Sequence, residues 1–105
     1  MELSDARIDR ALGMAYRELA DDAADGLDTA PQDLMHLVLD GLGEIEGTPD
    51  QALIELARRG LISAWVDGSE VHELGNEQTL RSYSVEGIAL TKEGLARGQE
   101  AAGSL

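Results

Sequence analysis

Asp33, His36 and Asp40 are the nearest approach in this chain to a chemical constellation. Residues three and four apart share a helix face, so two carboxylates would flank one imidazole. Such a set could bind a metal ion weakly or respond to pH. The preferred reading is plainer: a solvated strip whose carboxylates favour the imidazolium. His72 between Glu70 and Glu73 is a weaker case, because the acidic stretch around it reads as a loop. There is no glycine-rich phosphate loop, zinc-ligand pattern or nucleophile motif. The absence of cysteine removes disulfides, thiolate ligands and thiol nucleophiles. These residues point away from an enzyme, and they call for no cofactor and no metal.

Charge is the second chemical signal. The 105 residues carry 21 Asp and Glu against 8 Lys and Arg, a net charge of −13. A polyanion is repelled by such a chain and a basic surface is attracted to it. An organism with acidic proteins throughout, such as a halophile or one with a GC-rich genome, gives the same composition. Molar salt then screens charge within about 3 Å.

These groups need elements to hold them. The apolar share of 43% is too high for a disordered acidic tail. Phe is absent, and Tyr16, Trp65 and Tyr83 are the only aromatic residues, so the core must be aliphatic. Residues 1–105 are long enough for a single domain. No apolar run approaches the roughly 20 residues of a membrane span. The segment Met1-Glu2-Leu3-Ser4-Asp5 lacks the basic and apolar regions of a signal peptide, so the expected location is cytoplasmic.

Ser4 caps an expected first helix to about Ala24, with Ile8, Leu12, Ala15, Leu19 and Ala23 as its apolar stripe. Arg7, Arg10 and Arg17 surround Met14 on the opposite face, and Arg17 is spaced to pair with Asp21. That face reads as solvated, with a partner-docking stripe centred on Met14 as the alternative. Pro31 opens a second helix to about Leu42, apolar over more than half its circumference. Gly41, Gly43 and Gly47 then break the pattern. Thr48-Pro49-Asp50-Gln51 resembles a capping box and starts a third helix to Arg59, with Leu53, Leu56 and Ala57 inward and Gly60 as its stop. A strand from Leu61 to Val66 leads into a long acidic turn region, Asp67 to Gln78. A return strand falls between Leu80 and Leu90. Thr91 caps a short last helix, weakened by Gly94 and Gly98.

The runs Leu56-Ala57-Arg58-Arg59-Gly60-Leu61-Ile62 and Leu90-Thr91-Lys92-Glu93-Gly94, in this order, resemble the winged helix-turn-helix domain of bacterial and archaeal regulators. The first is similar to the end of a recognition helix entering a wing, and the second to the strand-to-helix step after it. The resemblance implies an α+β, mainly α fold: three helices, a two-stranded hairpin wing and a closing helix. It also implies that the helix from Pro49 to Arg59 would enter a DNA groove, with Gln51, Arg58 and Arg59 as candidate base or phosphate contacts. The wing of such relatives carries Arg or Lys. Here it offers Asp67, Glu70, Glu73 and Glu77.

The expected function follows from that substitution of charge. The preferred role is an acidic protein-interaction module, a small regulator or inhibitor that meets a basic protein surface through Trp65, Asp67, Glu70, Glu73 and Glu77. On strand alternation Ile62, Ala64 and Val66 share one face, leaving Trp65 with Ser63 on the other. The plainer and preferred reading is that Trp65 caps the core against the first or last helix; on the outer side it would instead anchor a partner or a second copy. A DNA-binding regulator, dimeric through its terminal helices, is the alternative function. An accessory subunit using Met14 and Trp65 is the third.

Overall fold

The computed structural model describes residues 3–44, 49–66, 69–70 and 87–104. They form four helices and three short strands, an α+β arrangement that is mainly helical and compatible with a winged-helix-like layout. Helix α1 spans Asp5–Ala24, α2 Pro31–Leu42 and α3 Pro49–Arg58. Strands β1 (Ile62–Val66), β2 (Ser69–Glu70) and β3 (Gly87–Leu90) follow, and α4 (Lys92–Ala102) closes the chain.

The helix starts have local causes. The Ser4 hydroxyl accepts the N–H of Arg7 at 3.3 Å, satisfying one of the free donors of the first turn of α1. Pro31 opens α2, where a missing N–H costs nothing. Helix α3 begins at Pro49, but the expected cap on Thr48 lies outside the described residues. At its other end Gly60 has φ +74°, and two hydrogen bonds close the turn: Leu61 N–H to Leu56 carbonyl and Gly60 N–H to Ala57 carbonyl. This is a Schellman cap, with apolar residues at both of its usual contact positions. Leu56 and Leu61 are both buried.

Thr91 does two jobs. Its hydroxyl accepts the Gly94 N–H at 3.0 Å and donates to the Gly60 carbonyl at 2.6 Å. The start of α4 is thereby tied to the end of α3. Thr91→Val keeps the shape and removes both bonds, so stability should fall by about 1–2 kcal/mol, measured by urea unfolding.

The core is aliphatic, as expected. Ile8, Leu12, Leu42, Leu53, Leu56 and Val38 are its largest fully buried side chains. Helix α1 packs against α2 and α4, α2 against β3, and α3 against β1. Ala11, Ala52 and Ile54 join the buried set beyond the residues expected. Ala23 does not: it is exposed, with Ala24, at the end of α1.

Three expectations about the backbone are corrected. Gly41 does not break α2 but lies within it, buried against α1; a Cβ there would sit 2.4 Å from the Ala11 Cα. Gly94 and Gly98 are not simply weak points of α4. A Cβ on Gly94 would lie 1.9 Å from the Leu61 carbonyl oxygen, and one on Gly98 would lie 2.6 Å from that of Leu12. Close approach of backbones requires glycine at these places. Finally, the segment after Val66 is not all turn. Ser69–Glu70 forms β2, with Trp65 opposite Glu70 and Val66 opposite Ser69. Asp67-Gly68 is the only stretch between them, and Asp-Gly is a favoured two-residue hairpin connection. The return strand β3 pairs antiparallel with β1, Ile62 opposite Leu90 and Trp65 opposite Gly87. Strand β1 is therefore central, in the order β2-β1-β3, rather than half of a two-stranded hairpin.

Candidate functional site

The sheet presents two faces. Ile62 and Ala64 are buried with Ile88 and Leu90, so this face covers the helices. Ser63 and Trp65 are half-buried on the other, as alternation requires. Trp65 lies across β3: a Cβ on Gly87 would be 3.0 Å from its Cε3 atom. The indole covers a glycine on the neighbouring strand. Glu70 stands opposite Trp65 in the β1–β2 register. Asp67, Glu73, Glu77 and His72 lie outside the described residues, as does the side chain of Glu70.

Helix α3 has a different outward surface. Arg58 and Arg59 are exposed, and the Arg59 Nε donates to Glu55 Oε1 at 2.9 Å. This pair, one helical turn apart, stabilises by only about 0.3–0.5 kcal/mol, but it neutralises Arg59. Arg58 makes no ion pair among the described residues. Gln51 is half-buried and has an interaction of its own. Among the described residues, the three candidate DNA contacts thus supply one cation outside an ion pair.

On α2, Asp33, His36 and Asp40 are all exposed along one strip. Among the described residues no three His, Asp or Glu side chains stand close enough to hold a metal ion. On α1, Met14 is half-buried between exposed Arg10 and Arg17. The expected Arg17–Asp21 ion pair is not formed among the described residues. Arg7 instead donates to the Leu42 carbonyl at 3.4 Å, reaching the C-terminus of α2.

Sequence reasoning missed a cation held by two carboxylates. Arg97 of α4 donates through Nε to Asp9 at 2.5 Å and through Nη2 to Asp5 at 3.2 Å, both on α1. Its pKa is raised, chiefly by the hydrogen bond to Asp9, with burial opposing. A raised folded pKa means that the arginine's contribution is present below the ordinary arginine value, wherever its partners are carboxylates, and is lost as pH rises through the folded value. Asp5 is largely exposed, so the set contributes modestly. Arg97→Met should lower stability by about 1 kcal/mol at low salt and by less in molar salt, measured by thermal unfolding. The separation of 88 residues between Arg97 and Asp9 left no signal in the sequence. An open groove of about 560 Å³ beside this set is lined by Asp9, Arg10, Arg97, Glu100 and Ser104. Its charges are mixed, and Arg97 is already engaged.

Comparison with protein-family models, with curated proteins and with solved structures gave no match. No helix among the described residues is long and apolar enough to cross a membrane.

Proposed function

We propose that this protein is an acidic interaction module that binds a basic protein surface, using the outer face of the sheet around Trp65 and the acidic segment that follows it. The observation that carries this reading is the Glu55–Arg59 pair on α3. In a winged-helix-like layout α3 is the element that would meet DNA. Its carboxylate engages one of two exposed arginines, within a chain of net charge −13. Phosphate binding draws its affinity from unpaired cations, each releasing counterions. Arg58 alone supplies little of that. Carboxylates on a rigid domain suit the opposite partner, a basic surface approached by fast, salt-sensitive association.

Fluorescence anisotropy of labelled, fragmented genomic DNA tests the competing role at low salt and in molar KCl. No binding is expected in either condition, with folding verified by circular dichroism. Binding in either would restore a DNA-binding regulator and direct attention to Gln51, Arg58 and Arg59. Once a basic partner is in hand, Glu70→Lys with Glu73→Lys should weaken the complex. Unchanged affinity in that double variant would sink the role given to the acidic segment.

A further inference from the structure

We infer that the C-terminal end of α1 is a second docking surface, built for a partner with an apolar centre rimmed by lysine or arginine. The cap of this helix has the same hydrogen bonds as that of α3. Leu27 N–H donates to the Asp22 carbonyl at 2.8 Å and Gly26 N–H to the Ala23 carbonyl at 3.1 Å, with Gly26 at φ +74°. In such a cap the residue after the glycine usually packs on an apolar residue of the last turn. Leu61 does so at the end of α3, where the last-turn position is Leu56 and both are buried. At the end of α1 the corresponding position is Asp22, and Leu27 is 61% exposed, the most exposed large hydrophobic among the described residues.

Ala20, Ala23 and Ala24 are exposed on the last turns of α1, at three- and four-residue spacing. Asp22 faces away from them, half-buried, its Oδ2 accepting the Thr29 hydroxyl at 2.6 Å. That bond holds the chain after Leu27 in place. Leu27 and these alanines are thus exposed apolar positions on a fixed support.

Charge selects the occupant. Asp21, Asp25 and Asp28 are exposed beside this face, and the last turn of α1 has no basic residue. Carboxylates at a helix C-terminus oppose the helix dipole, so stability does not account for them. No Lys or Arg occurs from residue 18 to residue 57. A second copy would bring like charge to like charge, which disfavours self-association here. A cationic partner with an apolar centre meets both features.

The test uses the full chain and a fluorescent synthetic amphipathic helix of leucine and lysine, followed by anisotropy. Leu27→Ser leaves the charge unchanged and should weaken binding about tenfold or more, as loss of one buried leucine contact requires. Leu95→Ser, at the other exposed leucine, should leave affinity unchanged. Asp21→Asn with Asp25→Asn should weaken binding at low salt, while raising the unfolding temperature by relieving the dipole. Equal affinity for Leu27→Ser and the parent, or equal affinity for an all-lysine peptide of the same charge, would overturn the inference. A dimer of the free protein abolished by Leu27→Ser would also overturn it, by naming a second copy as occupant. Loss of peptide binding in the Glu70→Lys, Glu73→Lys variant but not in Leu27→Ser would place the peptide at the sheet, sparing the proposed function and ending this one.

Discussion

Gly94→Ala should destabilise the domain by about 2 kcal/mol, although alanine is the better helix former. In an open helix the change would gain about 1 kcal/mol. Here the new Cβ would stand 1.9 Å from the Leu61 carbonyl oxygen and 3.0 Å from its carbon. Both are backbone atoms, so neither can rotate aside. Helix α4 must move away from the β1 entry, which strains the bonds of Thr91 to Gly60 and of Gly94 to Thr91. Overpacking of this kind costs about 1–3 kcal/mol and occasionally more. The upper end, offset by propensity, leaves the stated net loss. Urea unfolding should show a lower midpoint at unchanged slope. A raised midpoint would mean that α4 does not sit so close to Leu61.

Leu12→Ala should cost more, about 3 kcal/mol. Leu12 is fully buried on α1, the helix that packs against both α2 and α4. Gly98 of α4 reaches its carbonyl so closely that the backbones leave little room to collapse into a void. Truncation of a buried leucine costs about 2–5 kcal/mol, the larger values where the site cannot relax. In a domain of this size that corresponds to a fall in unfolding temperature of about 15 °C. Leu95→Ala, at a leucine 39% exposed on α4, should change it by only a few degrees. Equal losses at the two positions would show that α1 and α4 are not seated as described.

The helices were legible because their signals are local. Ser4, Pro31, Pro49 and Thr91 mark starts, Gly43 and Gly60 mark ends, and the apolar spacing of Ile8, Leu12 and Ala15 names a buried face. The face assignment of Ile62, Ala64 and Trp65 was equally readable, since strand alternation depends only on the period of the pleat. The Glu55–Arg59 pair was available from its spacing of four and passed unnoticed among the candidate DNA contacts. Asp67-Gly68 likewise carried a hairpin signal that the surrounding acidic residues obscured.

What the sequence alone determined is therefore its charge, its aliphatic core, the extent of the first three helices and the start of the fourth. All of these follow from residue type and short-range order. Tertiary structure decided the rest. Glycine has no side chain to declare its purpose, so only the packing shows that Gly41, Gly94 and Gly98 admit neighbouring backbones. Arg97 looks like any exposed arginine until α4 lies beside α1 and brings Asp5 and Asp9 to it. Leu27 and Leu61 each follow a glycine at a helix end, and nothing local separates them. One is buried and one is exposed because the core closes over the end of α3 and stops short of the end of α1, and burial is set by what the rest of the chain places there.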